Sequence, residues 1–293
     1  MTRHISPAAA TFIGASGNKL AADVYGGDGG PVLLLHGAGQ TRHAWRNTAE
    51  QIARAGRVAY ALDHRGHGDS EWTDAYSYAD FAADARAVAN AIAAAAGKKP
   101  IVIGASLGGV SALFAEGAAE AEGTNTFSAL VLVDVTPRID MDGVEKVQGF
   151  MRAHSREGFA SVAEAAEVVA HYLPHRPRPR SQEGLKKNLR LGSDGRWRWH
   201  WDPRLLEGRR SVSDYREEVA NSLVDMARKL TIPTLLVRGS ASELVQETHA
   251  REFLDLVPHA EYVDVSGARH MVAGDRNDAF SAAILDFLSR LPG

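Results

Sequence analysis

Residues 100–109 read PIVIGASLGG, an apolar run that passes directly into a glycine-rich turn. The run is typical of a buried strand, and a helix is predicted from Leu107 onward. A sharp turn between the two leaves no room for bulky side chains two residues before and two residues after Ser106, and both positions hold glycine, at 104 and 108. Such a turn exposes the serine hydroxyl at the carboxyl edge of a sheet, beside the positive end of the helix. We therefore predict a nucleophilic Ser106; the alternative is a turn without a chemical role.

Outward from this turn, strand-like runs alternate with helical segments along most of the chain. For example, apolar residues recur at helical spacing at Phe81, Ala85, Val88 and Ile92. Strands that alternate with helices favour a mostly parallel sheet with helices on both faces, which is an α/β fold. The strand-like runs lie at residues 11–16, 20–25, 32–36, 58–63, 100–103, 129–134, 233–238 and 261–265.

Composition excludes several classes of protein. The chain has 293 residues, no cysteine and a formal net charge of −3. The missing cysteine rules out disulfide frameworks, thiolate metal sites and cysteine nucleophiles. The balanced charge does not favour nucleic acid or an anionic membrane as a partner, and no apolar run approaches the roughly 18 residues that span a bilayer. We therefore expect a soluble, cytoplasmic protein.

The alternation of strands and helices stops between residues 137 and 230. We interpret this segment as a cap inserted into a core domain of residues 1–136 and 231–293. Within it, an Asp-Gly pair at 194–195 predicts a hairpin turn. The indoles of Trp197, Trp199 and Trp201 follow at a spacing of two and should share one face. They could be the core of the cap or the wall of a substrate pocket, and we favour the structural role over substrate binding.

The turn at Ser106 and the segments around it resemble the α/β-hydrolase family over nearly the whole chain outside the insertion. HGAG at 36–39 follows a buried strand, where that family keeps its oxyanion loop, and DHRGHGDS at 63–70 is similar to a segment after the next strand in many members. The resemblance implies an oxyanion hole formed by the backbone N–H groups of Ala38 and Leu107. We interpret residues 63–70 as architectural. His64 and His67 lack the further converging ligands that a metal site needs, so no metal is predicted.

A serine hydroxyl needs a base to remove its proton before it can act as a nucleophile. His270 follows the last predicted strand in the sequence GARH at 267–270. The resemblance places the catalytic histidine here, because the family has its triad in the order serine, acid, histidine. We predict His270 as the base.

Two residues compete for the role of the acid that orients this histidine. Glu243 follows the strand after the insertion, which is the usual place in the family, although the family mostly has aspartate there. Asp134 ends the strand before the insertion, where a minority of α/β-hydrolases have their acid. A carboxylate at a strand end often only binds loop amides. We therefore prefer Glu243, with Asp134 as the alternative acid.

These residues predict a hydrolase that cleaves a small carboxylic ester or lactone through an acyl-enzyme on Ser106, with no cofactor. A serine nucleophile disfavours epoxide hydrolysis and dehalogenation, which use aspartate in this family. Carbon–carbon bond hydrolysis and cofactor-free perhydrolysis can use the same three residues and remain alternatives. A ligand-binding, receptor-like protein on the same fold is a further alternative, since the fold alone implies no activity. The oligomeric state is not predicted.

Overall fold

An eight-stranded sheet organises the chain. Its strands are β1 (Ala8–Ile13), β2 (Lys19–Tyr25), β3 (Pro31–Leu35), β4 (Val58–Leu62), β5 (Ile101–Ala105), β6 (Ala129–Val133), β9 (Thr234–Gly239) and β10 (Glu261–Val265), and they lie in the order β1-β2-β4-β3-β5-β6-β9-β10. The structure is a computed structural model that describes residues 5–174, 181–207, 217–270 and 277–292. β1 and β2 pair antiparallel, as do β2 and β4, and the other neighbours pair parallel. The predicted α/β fold with a mostly parallel sheet is thus confirmed.

Helices cover both faces of this sheet, because the central strands carry buried apolar residues on both sides. In β3, Leu33 and Leu35 pack in one cluster, whereas Val32 and Leu34 pack in the other. The first cluster includes residues of α2 (Tyr78–Ala96), α3 (Leu107–Ala121) and α8 (Glu247–Leu256), and the second includes residues of α1 (Arg46–Arg54) and α9 (Asn277–Arg290). The helices outside the predicted insertion are α1 (Arg46–Arg54), α2 (Tyr78–Ala96), α3 (Leu107–Ala121), α8 (Glu247–Leu256) and α9 (Asn277–Arg290).

Local signals explain where several elements begin and end. Ser77 and Asp80 form a capping box at the start of α2, and Gly97 ends the helix with φ of 69°. The first strand differs from its prediction at 11–16. It ends at Ile13, because residues 14–18 form a turn in which the N–H of Gly14 donates to the carbonyl of Asn18.

Between β6 and β9 lie smaller elements that do not join the main sheet. They are α4 (Met141–Arg152), α5 (Val162–Tyr172), α6 (Glu183–Lys186), β7 (Leu189–Leu191), β8 (Trp197–Trp199), a 3₁₀ helix (Pro203–Leu206) and α7 (Glu217–Ala227). β7 and β8 pair antiparallel, which confirms the predicted hairpin, and Gly195 in its turn has φ of 75°. A third apolar cluster joins Met151, Trp199 and Trp201 of this region to Leu107 of α3. The region therefore packs directly over the turn that carries Ser106.

No helix within the described residues is both long and apolar enough to cross a membrane.

Candidate active site

Ser106 lies on a sharp turn between β5 and α3, with φ of 47° and ψ of −116°. A Cβ atom added to Gly104 would lie 2.5 Å from the backbone carbon of Gly108. A Cβ added to Gly108 would lie 2.2 Å from the carbonyl oxygen of Leu35. No side chain fits at either distance, so the two glycines are required for α3 to pack against β5 and β3. This confirms the predicted close packing of the turn.

Asp134 follows β6 and is held by hydrogen bonds from the loop after the neighbouring strand, β9. Its side chain is 1% exposed. The backbone N–H of Gly239 donates to Oδ1 at 3.0 Å, and the Ser242 hydroxyl donates to Oδ2 at 2.6 Å. Ser242 in turn accepts the N–H groups of Leu244 and Val245, both at 3.1 Å. The loop therefore fixes the direction of the carboxylate and leaves Oδ2 available to a further donor.

That donor is the imidazole of His270, whose Nδ1 lies 2.8 Å from Oδ2 of Asp134. An ionised carboxylate only accepts hydrogen bonds, so Nδ1 carries the proton and Nε2 remains an acceptor. Glu243, the preferred acid, has a different contact: its Oε2 accepts the backbone N–H of His270 at 3.4 Å. The preference for Glu243 is therefore corrected, because the ring nitrogen is bound by the alternative residue, Asp134. Ser242, which orients Asp134, was not found from the sequence, since nothing local marks this serine.

The loop at 36–39 presents one free donor next to Ser106. The N–H of Gly37 donates to Oε1 of Gln40 at 3.2 Å, and the N–H of Gly39 donates to Nε2 of His67 at 3.1 Å. Among the described residues, the N–H of Ala38 between them has no hydrogen-bond acceptor. The N–H of Leu107 begins α3 and so has no acceptor within the helix. Both predicted oxyanion donors thus remain available to a ligand.

Three buried histidines support this loop and the segment at 63–70. His36 and His67 are fully buried, and His64 is 1% exposed. Burial lowers the pKa of His36 to about 4 and that of His67 to about 3, and it also lowers the pKa of His64. The rings are therefore neutral near pH 7 and can accept hydrogen bonds, as His36 does from the N–H of His64 at 3.1 Å. No cluster with the arrangement of metal ligands occurs in the part of the chain that the structure describes.

The architectural interpretation of residues 63–70 agrees with their contacts. The Arg65 guanidinium binds both carboxylate oxygens of Asp84 in α2, at 2.7 Å each. Asp63 accepts the backbone N–H of Arg42 at 2.6 Å and also pairs with the Arg42 guanidinium. His67 was not recognised as a support of the oxyanion loop, because its partner Gly39 lies 28 positions away.

Ser106 and His270 line one large cavity, of about 620 Å³. Of the three predicted tryptophans, Trp199 and Trp201 line this cavity and are almost fully buried. Trp197 does not line it; its backbone pairs with that of Phe159. Tyr172 also lines the cavity, where burial and the charge of Glu243 raise its pKa to about 12. The substrate-binding interpretation thus remains a prediction for Trp199 and Trp201 only.

A partly buried serine on a sharp turn, a histidine bound to an aspartate and two backbone N–H groups without an acceptor among the described residues are features of the α/β-hydrolase class. A family model described as alpha/beta hydrolase fold matches residues 30–276, and the chain belongs to this family.

Comparisons with individual proteins and with solved structures also support membership of the α/β-hydrolase family. The chain is 28% identical over 257 residues to the esterase Rv0045c of Mycobacterium tuberculosis, an alignment covering 86% of this chain and 80% of that one. It is 26% identical over 260 residues to a monoacylglycerol lipase of Mycolicibacterium smegmatis, covering 84% and 83%. The solved structure of E-2-(acetamidomethylene)succinate hydrolase superposes with a TM-score of 0.80 at 22% identity, covering 97% and 99%, and so shares the fold.

Proposed function

We propose that the chain is a serine hydrolase that cleaves a carboxylic ester or lactone through an acyl-enzyme on Ser106. The observation that carries the proposal is the contact of 2.8 Å between Nδ1 of His270 and Oδ2 of Asp134, together with a cavity that both His270 and Ser106 line. The printed names of two relatives, an esterase and a lipase, support the hydrolysis of ester bonds.

In the proposed reaction, Nε2 of His270 takes the proton of Ser106 while Oγ attacks the substrate carbonyl. Asp134 acts as the acid, because it holds the imidazole in the tautomer that leaves Nε2 free and stabilises the imidazolium that forms. The oxyanion is bound by the N–H groups of Ala38 and Leu107, which are fixed before the substrate arrives. His270 then protonates the leaving oxygen, and water releases the acyl group by the same steps in reverse.

We further propose that the part of the insertion between β6 and α7 acts as a cap over the site. α4, α5 and the hairpin supply several walls of the large cavity, among them Phe150, Tyr172 and Trp199. Because these side chains come from the insertion, the cap would determine which substrates reach Ser106.

The experiment that tests the proposal combines covalent labelling with turnover. A fluorophosphonate should label Ser106 of the wild type, located by mass spectrometry, and short p-nitrophenyl esters should be hydrolysed. Ser106→Ala should abolish labelling and lower kcat by up to about 10⁶-fold. Absence of both labelling and turnover in the wild type would refute the enzyme and favour a binding protein. Labelling of Ser106 without turnover of any ester or lactone would keep the nucleophile and refute the ester substrate.

A further inference from the structure

Ser106 borders two cavities of very different size. In addition to the cavity of about 620 Å³, a pocket of about 80 Å³ opens on Ser106 from the side of α3. Ala38, Ser106, Val147 and Met151 line both. The two spaces therefore meet at the nucleophile, and Ala38 of the oxyanion loop and two side chains of α4 border both of them.

The linings of the two cavities differ in chemistry. The small pocket is enclosed mainly by aliphatic side chains, including Val110, Val135, Ile139, Val144, Leu206 and Leu244. Asp134 also lines it, but its carboxylate is already bound by Gly239, Ser242 and His270. The large cavity combines aromatic walls with charged and polar groups, among them Phe150, Tyr172, Trp199, Glu243 and Arg269. The first environment suits a short alkyl group, and the second suits a larger group that carries polar atoms.

The position of His270 assigns the two halves of an ester to these spaces. When Oγ of Ser106 bonds to the carbonyl carbon, the oxyanion points to Ala38 and Leu107, and the acyl chain and the leaving oxygen occupy the two remaining directions. The proton that Nε2 took from Ser106 must pass to the leaving oxygen as the bond from carbon to that oxygen breaks. His270 lines the large cavity and does not line the small pocket. The leaving group therefore belongs in the large cavity, and the acyl chain belongs in the small pocket.

Resting on the proposed function, we propose that the substrate is an ester of a short, apolar acid with a bulky alcohol that carries an aromatic or polar body. One water-sized group takes about 10–15 Å³ on the scale of these volumes, so the pocket of about 80 Å³ holds an acyl chain of about six carbons. Longer chains would have to displace packed side chains of α3 and α4, which dense packing resists.

Two isomeric esters test the assignment of the acyl chain and the leaving group to the two cavities. They contain the same atoms and differ only in which half carries the bulky group. In 2-naphthylmethyl butyrate the bulky group is the alcohol, and in propyl 2-naphthylacetate it is the acid; both release a primary alcohol. We expect kcat/KM for the wild type to be at least about tenfold higher for the butyrate, which corresponds to about 1.4 kcal/mol. Along a p-nitrophenyl ester series, activity should fall steeply for acyl chains beyond about six carbons.

A matched pair of variants locates the acyl pocket. Val144 of α4 lines the small pocket, and Val169 of α5 lines the large cavity; both are partly buried valines. Val144→Ala should extend activity to acyl chains about two carbons longer, because the substitution removes two methyl-sized groups and each leaves room for about one methylene group. Val144→Phe should restrict activity to acetate. Val169→Ala should leave the chain-length profile unaltered and change only the dependence on the alcohol.

Three outcomes would overturn the assignment. They are a preference for propyl 2-naphthylacetate, an extension of the acyl profile by Val169→Ala instead of Val144→Ala, and turnover of neither isomer while a fluorophosphonate still labels Ser106. Each of them leaves the proposed nucleophile standing. Absence of labelling together with absence of turnover would instead refute the proposed function itself.

Discussion

Asp134 has a backbone conformation that few residues adopt, with φ of 49° directly after a buried strand. Ser106, directly after the neighbouring strand β5, has φ of 47°. Left-handed conformations cost non-glycine residues roughly 1–3 kcal/mol and persist where the surroundings enforce them. At Asp134 the enforcing contacts are the backbone N–H of Gly239 and the hydroxyl of Ser242. Strain is thus found at the two residues whose side-chain directions matter most for the proposed chemistry.

Substitutions of single residues separate the acid from its neighbours. Asp134→Asn should lower kcat by about 10⁴-fold, because an amide presents the wrong hydrogen-bonding partner to the imidazole. Ser242→Ala should lower kcat/KM by about 10- to 100-fold, since a hydrogen bond to a charged group contributes roughly 1.5–3 kcal/mol. Glu243→Gln should stay within about tenfold of the wild type, because the contact that Glu243 makes to His270 among the described residues is a long one to the backbone N–H and not to the ring. Steady-state kinetics on p-nitrophenyl butyrate measures all three.

These kinetics need a control that shows that each variant is folded. Circular dichroism and the urea midpoint of each variant show whether a loss of activity reflects unfolding. If Glu243→Gln lost activity while Asp134→Asn kept it, the observed contact between His270 and Asp134 would have no catalytic role.

At the scale of the elements, the packing of α3 against β3 depends on Gly108. A Cβ at this position would lie 2.2 Å from a backbone oxygen, which a change of rotamer cannot relieve. We expect Gly108→Ala to destabilise the chain by at least about 3 kcal/mol, at the upper end of overpacking effects. Urea unfolding followed by tryptophan fluorescence measures this change.

Gly149→Ala provides the matched control. Gly149 lies inside α4, and a Cβ added there meets no atom within 4 Å. Because alanine loses less backbone entropy than glycine in a helix, this variant should gain roughly 0.5–1 kcal/mol. Equal effects of the two substitutions would contradict the close approach of α3 to β3.

The last helix of the insertion packs differently from the rest of it. Ala220, Leu223 and Ala227 of α7 belong to the apolar cluster of α2 and α3, whereas Trp199 and Trp201 belong to the cluster over Ser106. We therefore propose that the cap ends before α7 and that α7 is a layer helix of the core domain.

Over the whole molecule, stability should depend on pH through the three buried histidines. Their pKa values in the native state are lowered by burial, to about 4 for His36 and about 3 for His67, and in the same direction for His64. The unfolded chain binds protons on all three below about pH 6.5, and the native state does not. Above pH 6.5 these histidines therefore cause no loss of stability. The free energy of unfolding falls as the pH decreases from 6.5 toward 4, by up to about 1.4 kcal/mol per pH unit for each histidine.

Urea denaturation between pH 7 and pH 5 measures this dependence. His64→Phe removes one titrating ring at a site already packed against Phe81, at 5.4 Å between ring centroids. Near pH 5, the free energy of unfolding of this variant should change with pH less steeply than that of the wild type, by about 1.4 kcal/mol per pH unit. A slope equal to that of the wild type would mean that His64 already carries a proton in the native state.

The α/β sheet, the turn at Ser106 and the hairpin at Gly195 could be predicted because each depends on neighbours along the chain. The signals are alternating apolar residues, capping residues and glycines at fixed offsets. Each acts within a few positions of the chain, so a sequence pattern is enough to predict it. The expectation of His270 likewise followed from its place after the last strand.

Only the tertiary structure could show which carboxylate, that of Asp134 or that of Glu243, binds the imidazole of His270. Both residues follow strands, β6 and β9, that lie side by side and end at the same edge of the sheet. Their order along the chain therefore cannot show which carboxylate reaches the imidazole. That depends on φ at Asp134 and on the Ser242 hydroxyl, 108 positions away. The two cavities at Ser106 have the same origin, since residues that are distant in sequence enclose them only after the sheet and the segment above it have packed together.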